Sequence, residues 1–363
     1  MDSMLAVVKL EAERLELREF PQPEPGLDGA VLKVEAAGMC GAYGSFKSAR
    51  PGRSPGLQGH ENAGTIVAAS KIFQDRHGVT EGDLVAVEEY VPCYHCEYCR
   101  VGDYRNCFAT DRRNNGGAAS RIPGGFSQYI YLPPNVVLHK LPSTVSPSEA
   151  ALALPIGNGV SWACSAGEVG PGKTVVIQGP GSKGLGATLA SKIYGASNII
   201  VTGLSRDKTR LEAAKKLGAD YTLDVEKQDF VSTIMEITNG RGADAVVDCT
   251  TGKSDRVFHQ AFEVVKRRAG VIVTQQYNEL SSFPMKLLAD RFVTLRVCRG
   301  HSYTSVAMAL EWIASGKYPL AELITHHYPL ARTDAACLAS GGEGEGADAA
   351  WVMVNPWLDG GTS

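Results

Sequence analysis

The run Gly179-Pro-Gly181-Ser-Lys-Gly184 constrains the fold more than any other stretch of the chain. It follows a short apolar segment, Thr174–Gln178, and opens a segment of helical spacing, Leu185 to Tyr194. A second apolar run, Ile199-Ile-Val-Thr, comes next. Strand, glycine turn, helix and strand in that order build a parallel βαβ unit. In such a unit Gly179 permits the tight turn, Gly181 lets a ligand approach the backbone, and Gly184 lets helix and strand pack closely. The helix start presents aligned N–H groups and a positive dipole, which suit the pyrophosphate of a dinucleotide. The competing reading is a glycine-rich turn without a ligand.

The rest of the chain sorts around this unit. With 363 residues it is long enough for two domains. Up to about Leu154 it reads as short strands and turns, with alternating segments at Val31–Ala36, Ala63–Ala68, Asp83–Val87 and Ser127–Leu132. From about Pro155 to Arg299 strands and helices alternate. Asp207–Leu217 is a charged amphipathic helix, and Ala243–Cys249 and Gly270–Thr274 are buried-strand candidates. The tail, His301–Ser363, holds a helix at Ser305–Gly316 and a glycine-rich run, Gly341-Gly-Glu-Gly-Glu-Gly, that reads as a mobile loop.

Charge narrows the partners. Lys+Arg is 36 and Asp+Glu is 39, a net charge of −3. That balance argues against nucleic acid or an anionic membrane surface. No stretch approaches the roughly 18 apolar residues of a membrane span. The N-terminus lacks the basic start and small-residue cleavage site of a secretion signal, so the expected location is cytoplasmic.

In a reducing compartment, clustered cysteines point to metal. Of nine cysteines, Cys93, Cys96, Cys99 and Cys107 have the spacing C-x2-C-x2-C-x7-C. Four thiolates on one tight loop can surround a tetrahedral zinc and leave no position open, so the expected role is structural.

The end of the second βαβ strand bears on which dinucleotide is taken. An acid there would bond the ribose hydroxyls of NAD. This strand ends in Gly203-Leu-Ser205-Arg206. The missing acid removes a repulsion, Arg206 can pair with a 2′-phosphate and Ser205 can donate to it, so NADP(H) is favoured over NAD(H). The alternative is a solvated Arg206 whose charge Asp207 cancels.

Taken together, the sequence resembles the medium-chain dehydrogenase/reductase family, the zinc-type alcohol, sorbitol and threonine dehydrogenases. The carrying residues are Gly38-Met-Cys40-Gly41, Gly59-His60-Glu61-Asn-Ala-Gly64, Gly82-Asp83-Leu-Val, the four-cysteine loop, Gly179–Gly186 and Ile324-Thr-His326. The resemblance implies an α/β fold: a GroES-like β domain from both chain ends (1–155 and 299–363), with a Rossmann-type doubly wound parallel-sheet domain (156–298) inserted between them. It also implies a homodimer or homotetramer.

The resemblance carries residues over one by one. Cys40 and His60 match the first two ligands of a catalytic zinc, and Glu61 serves as a third in some members. Thiolate, imidazole and carboxylate with one open position make a sound catalytic zinc set. The third-ligand position of other members falls on Leu154, which cannot ligate. The usual proton relay is replaced by Ala42, Tyr43 and Ser45; Tyr43 is the remaining candidate acid/base, or a pocket-lining residue. Phe46, Glu89, Tyr90 and Leu154 fall near the substrate cleft. Asn158 falls where a Thr often approaches the nicotinamide. The expected cofactor residues are thus Gly179, Gly181, Ser182, Lys183, Gly184, Leu185, Gly203, Ser205, Arg206 and Asn158.

The expected activity is hydride transfer between NADP(H) and a zinc-polarised alcohol or carbonyl. Two alternatives stay open: reduction of an α,β-unsaturated carbonyl without catalytic zinc, and a nucleotide-binding protein without turnover.

Overall fold

The computed structural model describes residues 2–48, 56–57, 59–108, 124–250, 255–275 and 280–359. They divide into two compact units, Met1–Leu154 with Ser302–Ser363, and Pro155–His301. None of the helices described is long and apolar enough to cross a membrane.

The first unit is built on antiparallel sheet. Strands β1 (Ser3–Glu11) and β2 (Arg14–Pro21) form a hairpin. β3 (Ala30–Gly38) is central, and little of it reaches solvent. Beyond it come β4 (Gly56–Leu57), which pairs with β1, then β5 (Glu61–Ala69), β6 (Leu84–Val87), β7 (Tyr129–Leu132) and β8 (Leu138–Lys140). The alternation that marks these segments as strands is the pleat, which sends successive side chains to opposite faces. Leu32 and Val34 of β3, Ile66 of β5, Val85 of β6 and Leu132 of β7 thereby share one core. β3 pairs with β5 along its length, while β7 and a late strand share its other edge.

The C-terminal segment completes that sheet. Helix Tyr303–Ala314 opens it, with Ser302 as N-cap accepting from the Ser305 N–H. The run Gly341–Gly346 is not the mobile loop expected. Glu343 takes the Tyr43 hydroxyl and the Lys47 ammonium, Glu345 pairs with Arg332, and Gly346 is buried. Gly341 and Gly346 allow close packing: a Cβ at Gly341 would fall 2.1 Å from the Tyr43 ring. Past it, Trp357 donates to the Val34 carbonyl (2.8 Å), meets the Tyr129 ring at 5.5 Å and carries the Lys33 ammonium over its own ring.

The second unit is the alternating one. Its strands are β9 (Thr174–Gln178), β10 (Asn198–Gly203), β11 (Tyr221–Asp224), β12 (Ala245–Asp248), β13 (Val271–Thr274) and β14 (Thr294–Val297). All pair in parallel, in the order β11-β10-β9-β12-β13-β14. This is the 3-2-1-4-5-6 order of a doubly wound dinucleotide fold, with its switch point between β9 and β12. β9, β12 and β13 are buried along nearly their whole length, as strands covered on both faces must be. The last two strands of the chain, β15 (Ile324–Tyr328) and β16 (Trp351–Val354), return to the first unit, where β16 lies against β3.

Candidate functional site

In the first unit, pairing between β3 and β5 assembles a three-residue cluster. Gly38 at the end of β3 stands opposite Glu61 at the start of β5. Cys40 follows the first and His60 precedes the second, so the register brings both to one sheet end. Gly41, in the left-handed region at φ 52, turns the chain into helix Ala42–Lys47 directly after Cys40. One ligand atom from each of Cys40, His60 and Glu61 lies within 4.8 Å of the others. Glu61 folds back across β3, and a Cβ at residue 38 would fall 2.3 Å from its Oε2. Only glycine leaves that space.

The electrostatics favour a cation here. Glu61 is 2 % exposed, and its Oε1 has no hydrogen-bond partner among the described residues. Burial pushes its carboxyl well above the ordinary value; the Cys40 thiol adds to this, His60 opposes it, and Glu89 adds a smaller push. A bound divalent cation would reverse the balance, because it favours the charged forms of both carboxylate and thiol. Donor types, spacing and the orphaned oxygen therefore fit a zinc ion. A cavity of about 290 Å³ opens beside the cluster, lined by Cys40, Ala42, Ser45, Phe46, His60 and Phe126 among others.

Several expected residues sit elsewhere. The Tyr43 hydroxyl donates to Glu343, its ring lies on Gly341, and it does not line the cavity. Tyr90 packs edge-on against Tyr104 at 5.7 Å and so looks towards the cysteine loop. Leu154 is buried and apolar, with no ligand atom to give.

The four cysteines close into a second set. Cys93, Cys96, Cys99 and Cys107 place their sulfurs within 4.8 Å of one another. The Cys96–Cys99 and Cys93–Cys99 sulfurs are 3.6 and 3.9 Å apart. A zinc tetrahedron with bonds of about 2.3 Å has edges of about 3.8 Å, so the knot fits the metal. The Cys93 N–H points at the Cys107 sulfur (3.3 Å) and the Cys96 N–H at the Cys93 sulfur (3.4 Å).

In the second unit, helix Ser182–Ile193 begins at Gly181 with no side-chain cap. Its first N–H groups are thus left for a ligand. Gly179 makes the turn at φ 92. Gly184 is obligatory, since a Cβ there would fall 1.9 Å from the Gly179 carbonyl oxygen, while nothing lies within 4 Å of a Cβ at Gly181. Ser182 is the first helical residue, and the Lys183 ammonium lies 4.9 Å over the Trp162 ring rather than out in solvent. Leu185 differs from its expected role: its side chain is in the core and its N–H is taken by the Gly181 carbonyl. Asn158 is 5 % exposed, with Oδ1 lacking a partner among the described residues. It precedes an unforeseen π-helix, Val160–Ala166. Such helices concentrate at functional sites.

At the end of β10, Gly203 is buried and Arg206 is exposed. Asp207 does not cancel Arg206: it caps the Leu204 N–H and pairs with Arg210 at 3.1 Å. The Ser205 hydroxyl already donates to Asp224 and its N–H to Glu226, both at 2.8 Å.

Comparison with known proteins agrees with this geometry. The family described as zinc-binding dehydrogenase matches residues 184–315, and the alcohol dehydrogenase GroES-like domain matches residues 26–143. The chain is 36% identical over 333 residues to a probable alcohol dehydrogenase of Mycobacterium tuberculosis, covering 88% of this chain and 90% of that protein. It is 32% identical over 341 residues to sorbitol dehydrogenase of Bacillus subtilis, covering 92% of each. Among solved structures, an Escherichia coli oxidoreductase/dehydrogenase of unknown specificity superposes with a TM-score of 0.85 at 26% identity, covering 98% of this chain and 99% of that one. An alcohol dehydrogenase from Thermus sp. gives 0.82 at 26% identity, covering 97% and 99%. The chain belongs to the zinc-type medium-chain dehydrogenase/reductase family and is a nicotinamide-dependent oxidoreductase.

Proposed function

We propose that the protein transfers hydride between NADP(H) and an alcohol or carbonyl substrate, with a catalytic zinc held by Cys40, His60 and Glu61. The observation that carries this is the buried, partnerless Glu61 Oε1 beside a thiol and an imidazole within 4.8 Å. Zinc in that set supplies a Lewis acid for the substrate oxygen. Cys40, His60 and Glu61 would hold the zinc, and the cavity beside Cys40 and His60 would give the substrate room. Phe46 and Phe126 supply apolar wall, and Ser45 and water are left to move the proton that Ala42 cannot pass. In the second unit the uncapped helix start at Gly181 holds the pyrophosphate, and Asn158 Oδ1 is an acceptor for the nicotinamide carboxamide.

The preference for NADP(H) rests on Arg206 more than on Ser205. Arg206 is exposed and free of Asp207, whereas the donors of Ser205 already face two carboxylates. Gly203 adds no acid of its own, and the neighbouring Asp224 and Glu226 are engaged by Ser205. Replacing Arg206 by Ala should weaken NADPH roughly tenfold to a hundredfold and leave NADH little changed, as loss of a charge-assisted bond predicts. Equal effects on both nucleotides would remove the assignment. From the family resemblance we also propose a homodimer or homotetramer; a monomer in sedimentation velocity would overturn this.

Anomalous scattering at the zinc edge tests the metal. The expected result is one metal in the knot and one beside Cys40. Leu154 and the missing relay favour one second reading, reduction of an α,β-unsaturated carbonyl. A knot metal with none at Cys40, and label from deuterated NADPH on the β-carbon of the product, would put that reading first.

A further inference from the structure

Glu88, directly after β6, is buried with its side chain 0 % exposed. One carboxylate oxygen lies 2.7 Å from His139 Nε2 and the other accepts from the Tyr104 hydroxyl at 2.6 Å. A buried carboxylate is costly unless both oxygens find donors, and here both do. The two donors come from different places. His139 belongs to β8 and stacks at 4.5 Å on Tyr303, the first residue of helix Tyr303–Ala314. Tyr104 stands between the third and fourth cysteines, its carbonyl accepts from the Cys107 N–H (3.0 Å), and its ring packs with Tyr90 and Val137 beside Cys99. Glu88 thus ties the cysteine loop to the sheet.

We propose that Glu88 is a positioning residue for the knot: through Tyr104 it holds Cys99 and Cys107 at the spacing zinc needs before the metal arrives. The proposal rests on the reading that the knot takes zinc. Partners of this kind typically alter metal affinity by about 10–100-fold.

The test uses Glu88→Gln and Tyr104→Phe in a Cys40→Ser background, where the knot is the zinc set that remains. Zinc per chain is measured first, then the rate of zinc transfer to a chromogenic chelator well below the melting temperature. Ile66→Val, a core truncation in the same unit, supplies a destabilised comparison. Both variants should lose zinc at least about tenfold faster than the parent, and Ile66→Val should match the parent. Tyr104→Phe deletes one hydroxyl and keeps the ring, so it stands if Glu88→Gln does not fold. Unchanged rates in the variants overturn the proposal alone, and so does equal acceleration in Ile66→Val. A parent without zinc overturns it together with the reading of the knot.

Discussion

The proposed place of Glu61 in the zinc set depends on residue 38 having no side chain. The Glu61 carboxylate occupies the space that a Cβ at Gly38 would fill, 2.3 Å from Oε2. Gly38→Ala should therefore displace Glu61 and leave two donors, generally too few to hold zinc against a chelator. Zinc per chain should fall from two to one while the knot keeps its metal; a Gly38→Ala protein with two zincs would refute this. Tyr43 shows the opposite case. Its hydroxyl is held by Glu343, away from the cavity. Tyr43→Phe should cost about 1 kcal/mol of stability and change kcat by less than roughly threefold. A larger fall in kcat would overturn this placement, and a lost limb of the kcat pH profile would restore Tyr43 as an acid/base.

Elements built on short-range chemistry are the most legible in the sequence. β9 reads directly as Thr174–Gln178, because a buried parallel strand is a bare apolar run. The glycine loop and the cysteine spacing are read for the same reason: each acts over a few neighbouring positions. The Glu88 cluster is invisible there, since its partners lie 51 and 16 positions away. The glycines at 341–346 mislead because the run is packed: residues 341 and 346 leave no room for a Cβ, while 342 and 344 turn the chain at positive φ. Cys96→Ser should lower the melting temperature by on the order of 10 °C, since structural zinc contributes folding energy. Retained zinc and an unshifted transition would show the knot to be dispensable. In the second unit Asp244 joins the elements around β9 and β12. Burial opposes its charge, but the Thr174 N–H, Lys266 and Lys173 outweigh this and hold its carboxyl below the ordinary value. A depressed carboxylate stabilises above its unfolded pKa, and that contribution is lost as pH falls through the folded value. Melting curves of the wild type and Asp244→Asn should differ near neutrality and converge in acid; a constant gap would exclude the charge as cause.

Both metal sets lie in the first unit, and the glycine loop lies in the second. Calorimetry should therefore resolve two transitions with separate handles. A zinc chelator should lower one, and NADPH should raise the other. Both reagents moving a single shared transition would show that the units unfold together. The chain order adds a consequence in time. Met353 of β16 pairs with Gly38 of β3, and the whole of the second unit is synthesised between them. Domains generally fold as they emerge, N-terminal parts first. The inserted unit can thus be complete while β3 still waits for its neighbour, with an open edge of the kind that recruits other chains. All four knot cysteines precede residue 108. Zinc captured at that stage would brace the nascent half-sheet through the interval, so metal supply during translation should govern how much of this protein reaches its native state.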